Sequence, residues 1–159
     1  MPRKGAVKRR PVNPDPVYKD VLVSKLVNRV MRDGKKSVAQ KQVYRAFELI
    51  KKKKKLEPLT VFQQAINNIR PQVEVRPRRV GGAAYQVPMP IRGPRKNDLA
   101  IRWLVLSSRK RPNSKYHTFA EKLAVEIIDA ANEEGEAFGK KIEVEKIAEA
   151  NKAFAHLRW

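Results

Sequence analysis

Cysteine is missing from all 159 residues, which rules out a disulfide framework, a thiolate metal site and a cysteine nucleophile. Histidine occurs twice, as His117 and His156, without metal-ligand spacing. Acids are scarce, 16 against 36 Lys and Arg. The acids that cluster, Glu133, Glu134 and Glu136 beside Gly135, have no catalytic partner in the sequence, so a solvated turn is expected there. No apolar run reaches transmembrane length, and the basic N-terminus is not followed by the apolar stretch of a signal peptide. Asp33-Gly34-Lys35-Lys36-Ser37 ends like a phosphate-binding loop, but Arg29 stands where that loop needs its first glycine. These absences lead us to expect an intracellular, non-enzymatic protein with no metal, cofactor, membrane contact or small-molecule substrate.

What is abundant is positive charge. The formal net charge is +20 and it is segregated. Residues 1–55 carry 18 Lys/Arg against 4 acids, residues 56–116 carry 12 against 3, and residues 117–159 carry 6 against 9. A large one-sided positive field implies a polyanionic partner. The acidic last third either faces a basic protein or lies away from the polyanion.

The spacing of apolar residues predicts a mainly α fold: a single domain of about six helices with one protruding two-stranded antiparallel β-ribbon. Residues 1–19 read as a basic extended arm, with Pro11, Pro14 and Pro16 forbidding a regular helix. Residues 20–159 form the helical domain. Asp20 is placed to cap a first helix that ends at Asp33-Gly34. A second runs from about residue 35 to 54, where the Lys51–Lys55 run suits the helix dipole. Pro58 opens a third helix, which Pro71 stops. The segment Asp98–Lys110 is apolar on several sides and reads as the central, buried helix. Thr118 with Glu121 fits a capping box, and Gly135 fits the end of the helix that follows. A last helix is expected from about Glu143 to Phe154.

The ribbon is expected at about residues 72–92, QVEVRPRRVGGAAYQVPMPIR, with reversal at Gly81-Gly82. A two-residue loop would pair Val75 with Pro88 and set the apolar residues of the two limbs on opposite faces. If one face alone is buried, a longer turn that pairs Val75 with Met89, Val73 with Ile91 and Arg79 with Tyr85 is favoured. Pro88 and Pro90 share a parity, so their missing N–H groups lie on one edge and the ribbon should be unpaired there. Pro77 is expected to interrupt pairing near a bulge. Nine residues extend about 30 Å, a long reach for a ribbon carrying Arg76, Arg78 and Arg79.

The candidate phosphate contacts are the arm (Arg3, Lys4, Lys8, Arg9, Arg10), the loop pair Lys35 and Lys36, the ribbon (Arg76, Arg78, Arg79), and the flanks Arg92, Arg95 and Lys96 with Arg109, Lys110 and Arg111. Guanidinium forks bind phosphate bidentately and stack on bases, so the arginine-rich middle is where shape-specific contacts are expected. Gly81 and Gly82 allow close backbone approach, and Tyr85 either pairs across the ribbon or stacks on a base. Composition does not separate RNA from DNA, and a basic arm on a helical body also fits an architectural DNA-bending protein.

Four strings decide between them. RVGGAAYQVP (79–88), LAIRW (99–103), MRDGKKS (31–37) and AEANKAFAHLRW (148–159) together resemble the bacterial-type small-subunit ribosomal protein seven, in order and spacing. The resemblance covers essentially the whole chain. It implies a structural constituent of the cytoplasmic small ribosomal subunit that binds ribosomal RNA in the three-prime major domain and nucleates assembly of the head. It further implies a position near the exit-site tRNA and the messenger path, with small-subunit proteins nine and eleven as neighbours. Carried over residue by residue, the arm, Lys35, Lys36, Arg76, Arg78, Arg79 and the 92–96 flank meet ribosomal RNA. Tyr85, Asn151, Lys152, His156, Arg158 and Trp159 belong to the part near tRNA, messenger or protein neighbours.

Overall fold

The computed structural model describes residue 5, residues 11–54 and residues 57–157. Among these, six α-helices surround one core: α1 (Val21–Val30), α2 (Lys36–Lys54), α3 (Pro58–Ile69), α4 (Arg95–Lys110), α5 (Phe119–Ala131) and α6 (Gly135–Ala150). Between α3 and α4 stands an antiparallel ribbon of β1 (Val73–Val80) and β2 (Ala83–Pro90), and a 3-10 turn, Lys152–Leu157, follows α6. The mainly α class with one two-stranded ribbon is as the sequence predicts. None of the described helices is long and apolar enough to cross a membrane.

The helix starts follow local chemistry. Asp20 accepts from the Leu22 amide at 2.6 Å, capping α1, and its other oxygen accepts from Gln63 of α3 at 2.8 Å. Pro58 occupies the first turn of α3. At α5, Thr118 Oγ1 accepts from the Glu121 amide while Glu121 accepts from the amides of Thr118 and His117. The backbone amide of Thr118, foremost, holds the Glu121 carboxyl below its ordinary pKa. The stabilisation from this carboxylate is therefore complete above its unfolded pKa and is lost as pH falls through the lower folded one. Thr118→Ala is expected to cost about 1 kcal/mol and to move the Glu121 titration only part of the way upward, since the side-chain hydrogen bond is lost while the amide of residue 118 stays, as read by carboxyl NMR chemical shifts.

The central helix is α5, which packs against α2, α3, α4 and α6. α4, expected to be central, packs against α1, α3, α5 and α6. One side of α4 does enter the core through Ala100, Ile101, Leu104 and Val105, but Leu106 is 46% exposed. The core's largest side chains are Phe47, Phe62, Leu26, Ile50, Ile66 and Ile69. The Tyr18 ring meets Phe47 edge-on with centroids 4.9 Å apart. At the end of α5, Asn68 and Gln64 of α3 donate to the carbonyls of Ala130 and Ala131.

Two boundaries differ from the sequence reading because their causes lie far away in the chain. The first is at residue 135, where α6 begins, eight residues before the expected Glu143, and Gly135 opens it rather than closing α5. Buried Glu126 of α5 accepts the Ala137 amide at 2.9 Å, so a carboxylate from another helix satisfies the first turn of α6. The second is inside the expected arm. Asp15 is 3% exposed and accepts from the amides of Val17 and Tyr18 and from the Tyr44 hydroxyl. Residues 15–18 thus form a local Asx-type turn that the Tyr44 hydroxyl ties to α2.

The ribbon register also departs from expectation. Val75 faces Pro88, Val73 faces Pro90 and Arg78, not Arg79, faces Tyr85, with Gly81-Gly82 as a two-residue loop. Both glycines have positive φ, 58° and 87°, as a type I′ turn requires. The premise of a single buried face fails, because consecutive Val87 and Pro88 are both buried and point to opposite sides. The prolines explain the choice. The pair closing a two-residue turn is a hydrogen-bonded one, so alternate pairs place Pro77, Pro88 and Pro90 at non-hydrogen-bonded positions with their nitrogens outward. A register shifted by one residue would put Pro77 and the Pro88/Pro90 pair in opposite classes and cost at least one ladder bond. Pairing is continuous through Pro77↔Gln86, without the expected bulge.

Candidate nucleic-acid interface

The cations gather in two clusters. The first joins the end of α1, the loop before α2 and the end of α4. Arg109 donates to the Val30 carbonyl at 3.0 Å, which satisfies a free carbonyl at the end of α1 and fixes the guanidinium. Burial, and then the charges of Arg32 and Arg29, lower the Arg109 pKa. Like charges held this close favour an anion beside them. Arg109, Arg32 and Lys35 line a cleft of about 450 Å³ together with Val38, Gln42, Phe119 and the single acid Asp33. Exposed Lys36 begins α2 next to it. The turn here needs left-handed backbone at Asp33 and Gly34, with φ of 52° and 73°.

The second cluster is at the base and along the length of the ribbon. Glu74 sits between Arg76 and Arg95, accepting from their Nε atoms at 2.6 and 2.8 Å. Arg92 lines the same depression with Met89, Pro90 and Ile91. Lys96 donates to Gln72, tying α4 to the ribbon. Arg79, Gly81 and Gly82 are exposed towards the tip, and Arg78 is half-buried. A carboxylate shared by two guanidinium groups orients both while leaving net positive charge.

Arg111 stands apart from both clusters. It forks onto Glu126 at 2.6 Å and onto Asp129, and its side chain is 17% exposed. Burial disfavours its charge, but the hydrogen bonds and charges of Asp129 and Glu126 outweigh this and raise its pKa. Its guanidinium faces carboxylates inside the protein, so the geometry gives it a structural task.

At the far end of the chain, Tyr85 packs its ring on Phe154 of the 3-10 turn with centroids 5.2 Å apart. Asn151 caps α6, its side chain donating to the Ile147 carbonyl at 2.8 Å. His156 contacts the Ala153 carbonyl through Nδ1 at 2.9 Å, and Lys152 is exposed. Arg3, Lys4, Lys8, Arg9, Arg10, Arg158 and Trp159 lie outside the described residues. So does Lys55, while Lys51–Lys53 are exposed on the last turns of α2. Among the described residues no group of three or more His, Asp or Glu is placed to hold a metal ion.

Sequence reasoning named Lys35, Lys36 and Arg109 but missed Arg29 and Arg32. Their signal was present, two arginines flanking the last apolar residue of α1, but the neighbouring charge on α4 that gives them meaning is distant in sequence.

The family model described as Ribosomal protein S7p/S5e matches residues 2–152. The chain is 56% identical over 159 residues to the small ribosomal subunit protein uS7 of Acetivibrio thermocellus, covering 100% of both chains. It is 58% identical to the uS7 of Thermoanaerobacter sp. (strain X514) over the same full length. The uS7 of Thermotoga neapolitana is 55% identical over 157 residues, 99% of each chain.

Proposed function

Because the chain belongs to the ribosomal protein S7p/S5e family, a structural and non-enzymatic component of the small ribosomal subunit, we propose that its two cationic clusters are the surface by which it binds small-subunit ribosomal RNA in the cytoplasmic ribosome. The observation that carries this reading is the convergence of Arg32, Lys35 and Arg109 on one cleft, with Arg109 fixed there by the Val30 carbonyl. Crowded positive charge is a standing cost that phosphates relieve. Lys35, Lys36, Arg76, Arg78, Arg79, Arg92, Arg95, Lys96 and Arg109 make the phosphate contacts, with Gly81 and Gly82 allowing close approach at the tip. The basic residues of the arm extend this surface. Arg111 is left out, because its guanidinium is held by Glu126 and Asp129.

The protein then acts as a primary binder of the three-prime major domain and nucleates assembly of the head. The ribbon and the C-terminal turn, joined by Tyr85 and Phe154, act as one surface. We assign it to the neighbourhood of the exit-site tRNA, the messenger path and small-subunit proteins nine and eleven. Asn151, Lys152, His156, Arg158 and Trp159 belong to this part.

Equilibrium binding to isolated head-domain RNA and to random duplex DNA, at matched salt, tests the reading. Tighter binding to the RNA by at least about 10³-fold is expected, the margin of specific over non-specific recognition. Equal affinity for the two would overturn it in favour of a general polyanion binder.

A further inference from the structure

The cleft between α2 and the ends of α1 and α4 is more than a charged surface. Its mouth carries Arg32 and Lys35, and Arg109 is anchored at its side. One wall is apolar: Val38 is 54% exposed, large for a valine on a helix that otherwise packs its apolar residues inward, and half-buried Phe119 lines the same space. Gln42 also lines it, and its Oε1 is buried with no hydrogen-bond partner among the described residues. A buried amide oxygen without a donor is uncommon and calls for a missing partner. Phosphate alone would use the cations and leave the apolar wall and the amide idle.

From this convergence we infer that the cleft takes a single unstacked nucleotide of the RNA: Arg32, Lys35 and Arg109 hold its phosphate, its base lies on Val38 and Phe119, and the Gln42 side chain turns its amide out of its buried position to bond the base edge. The volume of about 450 Å³ lies within the range of pockets that enclose one small ligand. Sequence-specific recognition of RNA proceeds through such splayed-out bases, because the deep groove of the RNA helix is closed to side chains. The inference rests on the RNA-binding reading above and deepens it by naming the nucleotide-binding groups.

The test uses the full chain with head-domain RNA over a range of salt. The double variant Val38→Ser, Gln42→Leu is expected to bind about tenfold more weakly, the scale of one lost base–side chain contact. Its dependence on salt should be unchanged, since no phosphate contact is removed. Lys35→Ala is expected to weaken binding and reduce the salt slope by about one. A wild-type protein that prefers RNA, with a double variant that binds equally well, overturns the base pocket and leaves the phosphate surface standing. A wild-type protein with no preference for RNA overturns both. Ultraviolet crosslinking of the wild-type complex keeps the inference testable should the double variant fold poorly. Single-nucleotide adducts on the peptides that contain Val38 or Phe119 support it, and adducts confined to other peptides overturn it. Saturable binding of free nucleoside monophosphates in the cleft that head-domain RNA fails to displace would show a different occupant.

Discussion

Arg111→Ala is expected to lower the stability of the free protein by about 3–5 kcal/mol, the range for removing one partner of a buried ion pair. The reason is what it leaves behind. Glu126 is fully buried, and its carboxylate is shared between Arg111 and the Ala137 amide that begins α6. Without the guanidinium that charge remains in the core with a single amide for company. The damage spreads to both flanks. Lys122, itself buried, donates to the Arg111 carbonyl and to Asn113, so the turn after α4 is organised around the same residue. For a chain of this length such a loss corresponds to a melting point lower by roughly 6–20 °C, measurable by calorimetry or urea denaturation. Arg111→Lys should recover only part of it, because an ammonium cannot fork onto two carboxylates. A melting point unchanged in the alanine variant, with RNA affinity lost instead, would show that Arg111 faces the RNA after all. The same corner constrains Gly135. A Cβ there would lie 3.2 Å from both the Asp129 Cβ and a Glu126 oxygen, at a φ of +87° that side chains rarely adopt.

Affinity for head-domain RNA is expected to fall about 10³–10⁵-fold between 50 and 200 mM salt, if about ten phosphates are engaged. Replacing Arg76, Arg78 and Arg79 with alanine should cut the logarithmic salt slope by about two to three, a little less than one per phosphate contact. The melting temperature of the free protein should hardly move. Arg79 is exposed, the Arg76 side chain is about half exposed, and Glu74 keeps Arg95 as its partner when Arg76 is removed. A titration of binding against salt, with a melting curve beside it, separates the outcomes. A large fall in melting temperature with an unaltered salt slope would make the three arginines structural.

The elements were largely legible because their signals are local. Asp20, Pro58 and the Thr118/Glu121 box announce helix starts within four residues, and apolar spacing at 3.6 residues gives α1, α2 and α3 their inward faces. Where the causes are distant, the sequence misleads. The start of α6 depends on Glu126 one helix earlier, so Gly135 looked like an ending. The arm reads as free to residue 19 because Tyr44, whose hydroxyl donates to Asp15, comes 29 residues later. The ribbon register shows a different kind of miss. Apolar alternation points to a register with one buried face, whereas the parity of Pro77, Pro88 and Pro90 corresponds to the observed register because both faces of the ribbon's base are covered. Charge was legible as a total and by segment, but the crowding of Arg29, Arg32 and Arg109 exists only once α1 and α4 are packed.

The contact between Tyr85 and Phe154 carries a consequence for the order in which the protein is made. A two-stranded ribbon is marginal in water by itself, and this one takes part of its support from the last of the described elements. The strands leave the site of synthesis well before Phe154 does. During that interval the ribbon has its turn and its ladder, and its support is complete only once α6 and then the 3-10 turn have been made. Shape in the arginine-rich ribbon therefore follows the synthesis of the 3-10 turn that supports it.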